Sequence, residues 1–172
     1  MSPQELASLL LPSSRPWVSR SEVLWVAGTP VPWKRARRSG NRYFTDPKQA
    51  AWQQSVGMQV REQWPGSPVE GACTLDLVVC LPRPISHFGK GGIKPTAPLF
   101  SQSHRGGDGD NHLKGVADAC EKILYGDDCR LVGGSVFKVY ADCTAGAKWH
   151  SAGGIPSGVL IRFSTVDSDW RG

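Results

Sequence analysis

Four short apolar runs and two longer stretches with apolar residues at helical spacing organise this chain. The runs Glu22–Gly28, Ala72–Leu81, Arg130–Tyr140 and Gly158–Thr165 predict strands. Ala72–Leu81 (ACTLDLVVCL) is mostly apolar, which predicts a central strand of a sheet. The last two runs alternate apolar with other residues, and the Gly/Ser-rich stretch Ala145–Ser157 joins them, so an antiparallel pair is expected. The first helix is expected to start at Asp46-Pro47. Asp46 can accept from the free N–H groups there, and Pro47 at the first helical position gives up no bond. It runs to about Trp64, with Trp52, Val56 and Val60 apolar, and Pro65-Gly66 stops it. The second spans about Asn111–Leu124, where Leu113, Val116, Ala117, Cys120 and Leu124 form the core stripe and Gly126 follows. Residues 1–21 show little periodicity and read as a mobile N-terminal arm, with one helical turn at Leu6–Leu11, ahead of a single domain at 22–172. Arg83–Gly107 has no periodicity either. A loop of that length in a compact domain is usually functional or mobile. The order β-α-β-α-β-β defines an α+β fold, a mixed β-sheet with two main helices packed on it.

Composition narrows the class without naming a function. The chain has 172 residues, 40% hydrophobic and 20% charged, an ordinary balance for one folded domain. No apolar run reaches the length of a membrane span, and the start carries no basic signal region, so a cytoplasmic protein is expected. Five cysteines at 73, 80, 120, 129 and 143 form no CxxC, and the histidines at 87, 104, 112 and 150 form no HxxxH. That spacing does not suit a closed zinc site; the thiols read as small buried hydrophobes in a reducing compartment. No GxxxxGK loop precedes either helix, so a P-loop NTPase is unsupported. The formal net charge of +5 favours a polyanionic partner.

The chemistry-bearing stretch is Asp108-Gly-Asp110-Asn111-His-Leu-Lys114-Gly-Val-Ala-Asp118, followed by Asp127-Asp128. Asp110, Lys114 and Asp118 fall at i, i+4 and i+8, on nearly one face of a helix whose apolar stripe lies elsewhere. Crowded carboxylates repel one another unless a cation lies between them. Hard divalent ions such as Mg²⁺ or Mn²⁺ take carboxylate, water and phosphate oxygens. Such a site can activate water for phosphodiester hydrolysis, with a lysine adding positive charge where the transition state gathers negative charge. The spacing fits equally well with helix capping at Asp108 and Asp110, an exposed ion-pair ladder through Lys114, and a polar turn at Asp127-Asp128. A second motif runs from Trp33 to Phe44, where Lys34, Arg35, Arg37, Arg38 and Arg42 are flanked by aromatics. These cations suit a nucleic-acid backbone, the aromatics suit unpaired bases, and a solvated basic loop would look the same. Lys90 and Lys94 in the long loop can add phosphate contacts.

Taken together, the segment GGDGDNHLKGVADACEKILYGDDCRLV resembles the RusA-type Holliday-junction resolvases, whose pattern is close to K-P-D-x-D-N-L-x-K-x-x-x-D-A-L, a short turn, then D-D-x-Q-V. GTPVPWKRAR near the start and VCLPRPISH leading into a Lys/Pro loop extend the resemblance over about 24–165. The resemblance implies a RusA-like fold and a magnesium- or manganese-dependent endonuclease. It would act as a homodimer in bacterial or phage-infected cells, nicking two strands of a four-way DNA junction. It also implies the roles. Asp108, Asp110 and Asp128 match the catalytic, metal-holding aspartates, and Lys114 the essential lysine. Asn111, Asp118 and Asp127 are supporting residues, and Lys34, Arg35, Arg37, Arg38, Arg42, Lys90 and Lys94 face DNA. Two departures stand out: Gly106-Gly107 replaces Lys-Pro, which is expected to loosen the approach to the helix, and Arg130 replaces the Gln. The alternatives are a nuclease for flaps or forks and a catalytically silent junction-binding or DNA-packaging accessory protein.

Overall fold

A computed structural model describes residues 3–11, 15–40, 42–103, 106–144, 154–167, 169 and 171. Its centre is the strand β4 (Cys73–Arg83), almost wholly buried. It pairs in parallel with β7 (Leu131–Thr144) on one side and antiparallel with β8 (Gly158–Val166) on the other. The strand β1 (Val18–Ala27) adds antiparallel to β8, so the sheet order is β1-β8-β4-β7. The pleat divides the side chains of β4 between two cores. Leu75, Leu77, Val79 and Leu81 face one apolar cluster, and Val78 and Cys80 face the other. This two-sided burial explains why the strand shows no polar alternation in its sequence.

Helices α2 (Pro47–Gln63) and α3 (Gly109–Cys120) cover the first face. Asp46 caps α2 by accepting from the Lys48 amide at 2.9 Å, and Pro47 sits at the helix start as expected. Gln49, Trp52, Val56 and Val60 recur at helical spacing and are its buried stripe. Gly57 lets α2 approach α3 closely, since a Cβ there would stand 3.3 Å from the Ala119 carbonyl oxygen.

Four expectations need correction. The segment read as a mobile arm contains the helix α1 (Pro3–Leu10), whose Leu6 and Ala7, with Leu11, are buried against Val78, Val139 and Leu160 on the second face. The apolar second face of β4 is what recruits the Leu cluster. The first strand accordingly begins at Val18 rather than Glu22. The last two strands are not neighbours, because both pair with β4, from opposite sides. Their connection at 145–157 is far longer than a hairpin turn and permits that crossing; its residues 145–153 lie outside the described set. The second helix ends at Cys120, not Leu124. Lys122 takes a left-handed conformation (φ 64°), and the Tyr125 hydroxyl donates to the Ala117 carbonyl at 2.7 Å, closing the helix in a tight turn.

The long loop after β4 is largely built. Its 3₁₀ turn at Ile85–His87 leads into a small hairpin of β5 (Phe88–Gly89) and β6 (Gly92–Ile93). Leu99–Ser101 then lies beside β7, with the Ser101 amide donating to Lys138 O and the Tyr140 amide to Leu99 O. A second hairpin, β2 (Arg37–Ser39) with β3 (Arg42–Phe44), carries the basic run. Thus a four-stranded mixed sheet with two main helices on one face and α1 on the other completes an α+β fold. No helix among the described residues is long and apolar enough to cross a membrane.

One buried carboxylate lies in this sheet among the described residues. Asp76 of β4 is 1% exposed and accepts from Ser135 Oγ at 2.6 Å, Arg162 Nη2 at 2.8 Å and Arg15 Nη2 at 3.1 Å. Burial pushes its carboxyl up, but the Ser135 hydroxyl and the two guanidiniums outweigh that and hold it below the usual range. The buried charge thereby ties Arg15, between α1 and β1, to the sheet.

Candidate functional site

The acidic motif begins where the chain turns into α3, and the turn is tightly made. Gly107 has φ +76°, and a Cβ there would lie 2.5 Å from Pro32 Cγ, so both backbone conformation and space demand glycine. The two carbonyls of this turn are held from outside it. His112 Nε2 lies 2.6 Å from Gly106 O, and Lys138 Nζ donates to Gly107 O at 2.6 Å. His112 is 1% exposed; burial pushes its pKa down, so at neutral pH the uncharged ring donates its Nε2–H to the carbonyl. Gly106-Gly107 was expected to loosen this approach. It does the reverse, because small residues admit Pro32 and let His112 and Lys138 reach the backbone.

Asp108 is the N-cap position of α3 and Asp110 lies in its first turn. Both are exposed. Asp108 makes no side-chain capping bond, and neither carboxylate has a hydrogen-bond or ion-pair partner among the described residues. The helix N-terminus favours negative charge there without consuming the carboxylate oxygens. Lys114 lies one turn on. Its Nζ is 3.1 Å from Asp118 Oδ1 and 5.3 Å from the centre of the Trp33 ring, so the expected i,i+4 pair forms. Asn111 contributes its backbone, accepting from the Trp33 amide at 3.0 Å.

The segment 29–35 is therefore a strap across the start of α3. Pro32 packs on Gly107, Trp33 bonds Asn111 and lies within 3.6 Å of where a Cβ on Gly115 would be, and Lys34 donates its amide to Gln49 Oε1. Beyond it the basic run continues into the β2–β3 hairpin. The Lys34 ammonium lies 3.6 Å from Asp46, and Arg35 is exposed. Arg37, Arg38 and Arg42 are on the hairpin strands, with side chains outside the described set. Lys90 is exposed in the long loop, whereas Lys94 turns back to donate to Ser86 O at 2.8 Å.

Asp127 and Asp128 are placed differently. Asp127 caps a 3₁₀ turn at Asp128–Arg130, accepting from the Cys129 amide, and that bond lowers its pKa. Asp128 is exposed in the same turn. Gly109 packs on Val136 and Leu113 on Gly134, so α3 runs against the direction of β7. Asp128, which precedes β7, thus stands toward the far end of α3 from Asp108. Among the described residues no three of His, Cys, Asp or Glu are grouped closely enough to hold a metal ion. Arg130, the other departure, points Nη2 to Glu70 at 3.6 Å. Burial pushes the thiols of the four buried cysteines up, Cys73 to about 11 and Cys80 and Cys120 to about 12, which disfavours the reactive thiolate.

His112 and Lys138 were not singled out from sequence as parts of this site. His112 had a signal, falling in register with Val116 and Cys120 on the helix stripe; Lys138 had none, since its partner is a backbone carbonyl 31 positions away.

The strand-centred α+β domain thus carries an acidic helix start and, beyond the strap, a basic hairpin. Residues 27–148 match the family described as Endodeoxyribonuclease RusA, and the chain belongs to that family. It is also similar to the "Uncharacterized protein YqaN" of Bacillus subtilis (strain 168), with 31% identity over 123 residues, 68% of this chain and 86% of that protein.

Proposed function

We propose that this protein is a Mg²⁺- or Mn²⁺-dependent, structure-selective endodeoxyribonuclease. As a homodimer in the cytoplasm of a bacterial or phage-infected cell, it resolves four-way DNA junctions by paired nicks. The observation that carries this reading is the pair of exposed, uncommitted carboxylates, Asp108 and Asp110, on the fixed first turn of α3 with Lys114 one turn on. Their oxygens are the donor type a hard divalent ion takes, and two carboxylates with water and a substrate phosphate suffice for Mg²⁺. When bound, the ion supplies an activated water and stabilises the leaving oxygen. Asp108 and Asp110 hold it. The His112 and Lys138 bonds to the preceding carbonyls fix where these two carboxylates stand. Lys114, steadied by Asp118 and Trp33, brings positive charge to the phosphate. Asp128 is the third acid of the assignment, and it must be brought toward the pair by DNA or by a second subunit. Arg35, Arg37, Arg38 and Arg42, with Lys34 and Lys90, hold the backbone. The distance of Asp128 from the pair is the one feature favouring the silent junction-binding reading.

Labelled four-way, three-way and flapped DNAs incubated with Mg²⁺, Mn²⁺ or EDTA test the proposal. Cutting of two opposed strands of the four-way junction with either metal, and none with EDTA, is expected. Binding without cutting under every metal condition would leave the silent reading; preferred cutting of flaps would shift the substrate.

A further inference from the structure

Beside the turn that leads into Asp108 lies a cavity of about 320 Å³ that the nuclease reading does not use. Pro32, Leu81, Arg83, Ser101, Gly106 and Tyr140 line it. It is bounded by the end of β4, the strap and the Leu99–Ser101 segment on β7, so its walls are fixed parts of the fold. Its volume is in the range of small-molecule sites, and its lining is of the usual kind, apolar walls with few polar groups.

Three features limit what fits. Tyr140 and the prolines present flat, apolar surfaces. Ser101 is 5% exposed, and its hydroxyl has no hydrogen-bond partner, which is costly unless a ligand supplies one. Arg83, 4% exposed, is already paired: it donates Nη1 to Pro98 O at 2.7 Å, holds Nε 3.7 Å from Asp142 Oδ1 and stands 5.6 Å from the centre of the Tyr140 ring, so the cavity calls for no charged ligand. Glycine at 106 lets Leu81 and Ser101 close this side of the cavity, since a Cβ there would lie 2.7 Å from Leu81 Cδ1 and 3.5 Å from Ser101 Oγ. A flat, largely apolar molecule with hydrogen-bonding edges satisfies all three. Gly106 is two residues from Asp108, and the strap on the rim continues into the basic hairpin.

We propose that this cavity receives a single nucleobase, unstacked from branched DNA, next to the phosphate presented to Asp108 and Asp110. Its location rests on the nuclease reading; its ligand chemistry does not. A base at a branch point is already poorly stacked, so drawing it out costs less than from a continuous duplex. Ser101 Oγ can donate to or accept from the base edge, and Tyr140 and the prolines cover its apolar surface. The site would therefore select where along a branch the strand is held, through one base.

The test places 2-aminopurine, which brightens when unstacked, at one position at a time around the branch of a four-way junction. The full chain is bound to it in EDTA so that no strand is cut. Fluorescence is expected to rise at least threefold at one position and at its symmetry mate. Ser101→Phe and Ser101→Leu, each filling the cavity, should return it to the level of neighbouring positions, with circular dichroism and melting temperature reporting that both variants fold. A bound junction with no bright position, or brightness that survives both variants, overturns the proposal. Free deoxynucleoside monophosphates, followed by amide shifts at Ser101, Gly106 and Tyr140, read the cavity without DNA. Shifts there support the base site even if junction binding and cutting both fail. Shifts with free nucleotide but no bright position in a bound junction overturn entry of a DNA base, and absence of shifts overturns the site's chemistry.

Discussion

Asp110 and Asp76 show how one residue type serves opposite ends in this chain. Asp110 is exposed and has no side-chain partner among the described residues, so replacing it removes the charge that the proposed site sets against a phosphate without disturbing the fold. Asp110→Asn is expected to lower cleavage of a four-way junction by roughly a hundredfold or more while binding, read by gel shift, stays equal or tightens. Weaker binding with normal turnover would move the site elsewhere. Asp76 is buried, and removing its charge takes the carboxylate away from the Arg162 and Arg15 guanidiniums that it pairs. Asp76→Asn is expected to cost roughly 3 kcal/mol at pH 7, measured by urea unfolding. The folded-state pKa of Asp76 lies below the unfolded one. Its stabilisation is therefore fully present above about pH 4 and is lost as pH falls through the lower folded value. The melting temperature of the parent should drop more steeply than that of Asp76→Asn across that acid window. At this scale the placing of Asp108 and Asp110 at the start of α3 and the Lys114–Asp118 pair were legible, because their spacing is local. The contacts of His112 and Lys138 with the Gly106-Gly107 carbonyls were not, because a backbone acceptor leaves no trace in side-chain pattern.

Among the elements, those with a strong local period were read correctly: the capped α2 with its Trp52, Val56 and Val60 stripe, and the apolar β4. What failed was pairing and docking. Nothing local distinguishes β7 beside β8 from β7 beside β4, since both arrangements bury the same alternating residues. The Leu6–Leu11 cluster looked too short to hold itself, and an isolated helix of that length is indeed marginal. It folds because Val78, Cys80 and Leu160 offer an apolar surface that is not evident until the sheet exists. Leu6, 2% exposed, is the anchor of that contact. Leu6→Asp is expected to cost about 3 kcal/mol and to lower the melting temperature by about 10 °C; an unchanged transition would mean that α1 contributes no stability.

For the whole molecule, charge and topology divide the work. The excess of five positive charges is modest, yet five of the cations fall between Lys34 and Arg42. Alanine at Arg35, Arg37 and Arg38 together should weaken junction binding and reduce the slope of log affinity against log salt by up to about 3. An identical slope would make these residues a solvated surface.

The insertion of β8 between β1 and β4 has a consequence for synthesis. The strands β1 and β4 have no direct partner in each other, and the segment that joins them is translated after both. Until residues 158–166 have emerged from the ribosome, β1 cannot enter the sheet and β4 keeps one edge bare, a state open to misassociation with other nascent chains. Closure of the sheet thus waits on β8, and a stop codon before residue 158 is expected to cost β1 its partner and β4 one of its two in a single stroke.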